Sequence, residues 1–220
     1  MTTELKTRWL GRIAYGNALA LQEEIVARKR ADDSLADELL LLEHEPVYTI
    51  GRTPDRSSLR AAEQLPHPLF PINRGGQATY HGPGQLVGYP IIDLRRDAQD
   101  LHRYLRWMEE VLIGLLATYE ITAQTRAGLT GVWVENRKIA SIGVGVRQWI
   151  TMHGFALNVQ GDLSPFDQIV PCGIANVSMT SMEKECGRAW AVEDVGWRVA
   201  ELMHARLGEL RTTRPSPIEA

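Results

Sequence analysis

Apolar positions recur along this chain with two periods, and the switches between them outline its elements. Leu10–Ile13 predicts a short first strand, and Tyr15–Arg30 carries Ala18, Leu21 and Ile25 on one helical face. Leu39–Leu42 is uninterrupted and bounded by Pro46, the pattern of a strand buried on both faces. Val47–Ile50 adds another strand. Thr53–Pro71, rich in Pro, Ser and charge, predicts a loop with one helical turn. Gln85–Leu94 then reads as a strand. Leu101, Tyr104, Leu105, Met108, Leu112 and Leu115 repeat at helical spacing, so the longest helix is expected over Ala98–Tyr119.

Gly131–Val159 is the strongest β region, broken by a turn at Glu135-Asn136-Arg137. Strict alternation after that turn places Lys138, Ala140, Ile142, Val144 and Val146 on one face. In the next segment it groups Trp149, Thr151, His153, Phe155, Leu157 and Val159. Ser164-Pro165 opens a short helix that ends at Pro171-Cys172-Gly173. Thr180 with Glu183 opens another, stopped by Gly187. Val192–Leu207 predicts a final amphipathic helix, and 212–220 a frayed tail.

At 220 residues the chain suits one domain, with its core over about residues 8–210. A hydrophobic share of 44% with 23% charged residues is that of a soluble globule. Net charge of −3 offers no global attraction to nucleic acid or an anionic membrane. The arginines near residues 52–60 and 95–106 read as solvated faces. The first residues lack the apolar core of a signal peptide, so a cytoplasmic location is expected. Two cysteines, Cys172 and Cys186, without CxxC or a His/Cys cluster at ligand spacing, argue against a metal site.

Candidate chemistry centres on Asn73–Pro90, which reads NRGGQATYHGPGQLVGYP. Its glycines let the backbone bend and approach a ligand, and polar groups stand between them. Neither dinucleotide-type GxGxxG spacing nor a P-loop is present, so the glycines do not by themselves indicate a nucleotide. Elsewhere, Cys172 lies between Pro171 and Gly173, a constrained setting for a nucleophile, although free cysteine is most often buried and inert. An ammonium close by would favour the reactive thiolate. Partial burial of Lys138 against Ala140 and Ile142 would favour its free amine and make it a usable general base. His153 on an apolar face reads first as a core histidine.

Arg74-Gly75-Gly76, Thr79-Tyr80-His81 and Gly84-Gln85 followed by Tyr89 resemble the signature of the octanoyltransferases that begin protein lipoylation. HEPVYTIGR from His44, KIASIGVGVRQWITMHGFALNV from Lys138 and VPCGI from Val170 resemble further segments of that family, in the same order. Glu45 departs from the Pro more usual there.

The resemblance implies a single α/β (α+β) domain with the biotin/lipoate protein ligase catalytic fold, a mostly antiparallel mixed sheet flanked by helices. It implies Cys172 and Lys138 as the catalytic pair. Arg74, Gly75, Gly76, Gln77, Ala78, Thr79, Tyr80 and His81 would line the acyl site, faced by Ser141, Ile142, Gly143, Gly154, Phe155 and Ala156. His44 and His153 are auxiliary candidates. The implied partners are octanoyl-acyl carrier protein, the lipoyl domains of 2-oxoacid dehydrogenase E2 subunits and the glycine cleavage H protein. Phosphopantetheine arrives on the carrier, with neither ATP nor metal required. Burying an eight-carbon chain at ~0.8 kcal/mol per methylene would stabilise binding by roughly 5 kcal/mol. Two alternatives stand beside this. One is an ATP-dependent lipoate or biotin-type ligase; the other is a non-catalytic acyl-binding protein.

Overall fold

A computed structural model describes residues 4–52, 58–59, 65–96, 99–170 and 177–211. Chain order is β1 (Leu5–Ile13), α1 (Tyr15–Ala31), β2 (Asp37–His44), β3 (Val47–Ile50), β4 (Leu69–Pro71), β5 (Thr79–His81) and β6 (Gln85–Ile91). There follow α2 (Leu101–Ala117), β7 (Gln124–Arg126), β8 (Leu129–Val134), β9 (Arg137–Arg147) and β10 (Ile150–Asn158). β11 (Ser178–Met179), α3 (Met182–Cys186) and α4 (Val192–Arg211) complete it, with 3-10 turns at Leu94–Arg96 and Ser164–Gln168.

The main sheet runs β1-β2-β6-β10-β9-β8-β7, with β11 against β9. The β1–β2 pair is parallel because α1 carries the chain back across the sheet, and β11 is parallel to β9. The other pairings are antiparallel. The uninterrupted run in β2 is buried on both sides, as its composition predicts. Leu39 and Leu41 enter the core under α2 and α4, while Leu40 and Leu42 meet Ala18, Ile25 and Val26 of α1. The domain is therefore three layers deep: helices α2 and α4, the sheet, then α1. No helix among the described residues is long and apolar enough to cross a membrane.

A small second sheet, β4-β3-β5, has its own apolar cluster of Tyr48, Ile50, Ala78 and Tyr80 with Phe166 and Ile169. Its loop reaches the main sheet: Gly75 N–H donates to Val144 O of β9 at 2.9 Å. The glycine-rich segment thereby becomes a roof over β9 and β10.

Several boundaries differ from those the pattern predicts. α2 starts at Leu101 because the Asp100 carboxylate caps it, accepting from Arg103 N–H at 3.0 Å. Ser181, not Thr180, caps α3 through Lys184 N–H at 3.2 Å. The strands β4, β5, β7 and β11 are two or three residues long, too short for alternation to register. Much of the loop predicted over Thr53–Pro71, and the tail at 212–220, lie outside the described residues.

Lys138, Ile139 and His153 break the expected alternation, and Trp149 lies in the exposed turn before β10. Val132 pairs with Ala140 but Trp133 pairs with Lys138, so β9 carries one extra residue, a β-bulge. Ala140, Ile142 and Val144 stay in the core under α2 and α4, whereas Lys138 turns to the opposite face against Trp133. At His153 the backbone is left-handed, with φ 58°. Its ring leaves the face shared by Phe155, Leu157 and Val159 and meets Tyr89 instead.

Candidate active site

A cleft lies between the glycine-rich roof and the sheet face turned away from α2 and α4. Its floor is Ser141 and Gly143 of β9 with Gly154 and Ala156 of β10, directly paired across the ladder. Ile142 and Phe155 border it from the same strands, and Arg74, Gly76, Thr79 and His81 close it from above. Tyr15, from the first turn of α1, and Tyr89 form the back, with His153 beside them. The enclosed part of the cleft is small, about 40 Å³, and is continuous with solvent.

The roof alternates as a strand should. Thr79 and His81 of β5 point into the cleft, while Tyr80 between them packs on Tyr48 and Phe166. Ala78 is buried in the same small core as Tyr80, and its N–H donates to Ser58 Oγ at 3.3 Å. Gly75 contributes its backbone bond to β9. Gln77 does not line the cleft.

Arg74 places a buried cation at the roof. Its Nη1 donates to Gly75 O at 2.8 Å, and Nη2 to Thr49 O at 3.2 Å and Thr49 Oγ1 at 2.8 Å. Around it three imidazoles are kept neutral. Burial lowers the pKa of His44 to about 4 and of His81 to about 3, the latter helped by neighbouring His44. Burial, then Arg74, lowers that of His153 to about 4.

Hydrogen bonding fixes two of the tautomers. His44 Nδ1 lies 2.9 Å from Ile13 O, which only accepts, so Nδ1 carries the proton. His44 Nε2 must then accept from the Tyr89 hydroxyl, 2.7 Å away. Gln85 Nε2 donates to Tyr80 O and Asn158 Oδ1, leaving Gln85 Oε1 to accept from His81 Nδ1 at 2.7 Å. His81 Nε2 is thus an acceptor. His153 Nδ1 is buried and has no hydrogen-bond partner among the described residues.

Lys138 lies beyond the Ser141 end of the floor, three residues earlier on β9. It is 1% exposed, donates from Nζ to Thr130 O at 3.1 Å, and holds Nζ 5.2 Å from the centre of the Trp133 ring. Gly131 makes this possible. With φ 129°, it lies so close to the lysine stem that a Cβ there would come 2.6 Å from Lys138 Cε and 2.7 Å from Ala140 O. Its N–H donates to the fully buried carboxylate of Glu109 at 2.9 Å, which Arg106 neutralises.

Cys172 lies outside the described residues. Past its segment the chain returns beside Lys138: Met179 pairs with Lys138, and Thr180 N–H donates to the Lys138 carbonyl at 3.0 Å. Cys186 is a free, exposed thiol at the end of α3. Among the described residues, no group of three or more His, Cys, Asp or Glu side chains is placed to hold a metal ion.

Tyr15, Gly131, Trp133 and Glu109 are absent from the residues sequence reasoning selects. The tyrosine opens an ordinary amphipathic helix, and the other three act through a bulge that spacing does not reveal. The separation of Thr79 and His81 from Tyr80 likewise emerges only once β5 is in place.

The lipoyl protein ligase A/B catalytic domain model matches residues 14–203. The chain is 48% identical over 219 residues to the octanoyltransferase of Geobacter metallireducens, covering 96% of this chain and 99% of that one. It is 51% identical over 194 residues to the octanoyltransferase of Geobacter sulfurreducens, covering 87% and 80%. Among solved structures, lipoate-protein ligase A bound with ATP superposes with a TM-score of 0.70 at 14% identity, covering 100% of this chain and 90% of that one.

Proposed function

Given that the chain belongs to the lipoyl protein ligase A/B catalytic family, we propose that it transfers octanoyl groups in protein lipoylation through a thioester on Cys172. The donor is octanoyl-acyl carrier protein. The thiolate of Cys172 attacks the thioester carbonyl carbon, a new C–S bond forms, and the bond to the carrier's phosphopantetheine sulfur breaks. That thiol leaves with a proton. The ε-amine of a lysine on a lipoyl domain then attacks the acyl-cysteine, an amide C–N bond forms, and the proton lost by nitrogen returns to the Cys172 sulfur.

Lys138 is the group that moves protons in both stages. Its position supports the role: it is buried, touches the Thr130 carbonyl and the Trp133 ring, and stands where the floor begins. The floor suits an acyl chain because Ser141, Gly143, Gly154 and Ala156 leave a shallow trough. Neutral imidazoles beside it avoid the cost of facing a fatty chain with charge. Thioester exchange is nearly balanced and thioester to amide is downhill, so the scheme needs neither ATP nor a metal. The acceptors are the lipoyl domains of 2-oxoacid dehydrogenase E2 subunits and the H protein.

Intact-mass spectrometry tests the scheme. Incubated with octanoyl-acyl carrier protein, the protein gains one octanoyl mass that a lipoyl domain then removes. Cys172→Ser gains none, and Lys138→Ala acylates at least about tenfold more slowly, with thiol alkylation displaced to higher pH. A dependence on ATP and free octanoate would identify a ligase instead. Donor binding without any mass gain would identify an acyl-binding protein.

A further inference from the structure

A second cavity of about 190 Å³ lies directly behind the cleft, and His153 lines both. Leu19 of α1, Ile72, Val146 and Met152 give it an apolar side, and Asn73 with the Glu23–Arg147 ion pair (3.1 Å) a polar one. We infer that His153 ends the acyl site and sets the length of chain transferred, by closing the cleft from this second cavity. The inference rests on the acyl-transfer reading above.

Reach along the floor supports it. With the reacting carbonyl at the Lys138 end, the chain runs over Ser141 and Gly143. An extended eight-carbon chain spans roughly 9 Å, about three residues of strand at ~3.3 Å each. Three residues beyond Ser141 is Val144, and its partner across the ladder is His153. An octanoyl tail therefore finishes at the imidazole, and a longer one would have to pass it.

The barrier is built rather than incidental. A regular strand would bury this side chain under α2 and α4, but the left-handed backbone turns it to the cleft face. Gln22 of α1 holds that geometry, accepting from His153 N–H at 2.8 Å. Gly145 leaves the ring its place, since a Cβ there would stand 3.3 Å from His153 Cδ2. His153 is 4% exposed and its Nδ1 lacks a partner among the described residues, so methylenes driven against the ring would keep a buried polar atom unsatisfied. At the other limit of the cleft, the tyrosine pair backs onto filled structure: Tyr15 packs on His44 and Phe70, and Tyr89 donates to His44.

The test compares octanoyl- and dodecanoyl-acyl carrier protein as donors to one lipoyl domain. The parent should strongly favour octanoyl. His153→Ala should raise the dodecanoyl-to-octanoyl rate ratio by about tenfold or more, whatever its effect on the octanoyl rate alone. Adding Leu19→Trp to that variant should narrow the second cavity and reverse the gain. Leu19→Trp alone should leave octanoyl transfer unchanged, because the chain does not enter that cavity in the parent. A folded His153→Ala protein with the parental ratio overturns the inference. So does a parent that uses both donors equally, or a Leu19→Trp single variant that loses octanoyl transfer, and neither observation requires the His153 variant to fold. A parent that transfers no acyl group from either donor sinks the functional reading itself, and the inference with it.

Discussion

Lys138 shows how a single residue's surroundings decide its chemistry. A lysine at a strand start ordinarily extends to water; here the bulge turns it onto Trp133, and the bare Cα of Gly131 leaves room for its stem. Gly131→Ala is therefore expected to displace the amine. A Cβ 2.6 Å from Lys138 Cε, on a backbone that L side chains rarely adopt, forces either the lysine or the β8 backbone to move. Misplacement on that scale should lower acyl transfer by about 10²-fold, with stability reduced by ~1–3 kcal/mol. Rates of cysteine acylation by mass spectrometry, on protein shown to be folded by circular dichroism, check this. A variant with parental rates would mean that the amine's position is not what matters.

Elements are joined in places by buried charge. The α1–β2 connection turns on Lys29, whose Nζ donates to Leu35 O at 3.2 Å and Ala36 O at 2.9 Å and pairs with Asp37 at 2.8 Å. Asp37 also takes Arg211 at the end of α4 at 2.7 Å, and accepts from Asp93 N–H at 3.0 Å. One carboxylate thus links α1, β2, β6's exit and α4. Lys29→Met should cost about 3 kcal/mol, the lower end for breaking a buried pair, because Arg211 still neutralises Asp37. Urea unfolding would show it as a lower midpoint with an unchanged slope. An unchanged midpoint would mean that the two loop carbonyls find other donors. The hydrophobic pattern locates α1 and β2 correctly but is silent on this junction, because Lys29 sits on a helix otherwise read for its apolar face.

For the whole molecule, the neutral histidines set a pH dependence. His44 and His153 have folded pKa values of about 4 and His81 about 3, all below the ~6.5 of an unfolded chain. Between those limits the unfolded state binds protons that the folded state refuses, so stability rises with pH there. It should be fully present above about pH 6.5 and decline as pH falls toward about 4. Glu185, held below the usual carboxylate range by Arg137, adds its own loss only at still lower pH. Urea midpoints at several pH values from 7.5 to 4.5 test this, and a flat series would show that the cluster is not desolvated as described. The fold itself was legible wherever burial is written into a repeat. The run at Leu39–Leu42, the helical spacing in α2 and the alternation through β9 and β10 each depend on a residue and its near neighbours, which sequence contains. Octanoyl transfer was legible too, because several motifs occur together in order. What tertiary structure alone decided is which face certain side chains occupy and what lies behind them. One extra residue in β9 reverses Lys138, one left-handed residue reverses His153, and a glycine in a neighbouring strand makes room for an amine. Each depends on the register between strands, a relation between distant stretches of chain that local pattern cannot encode.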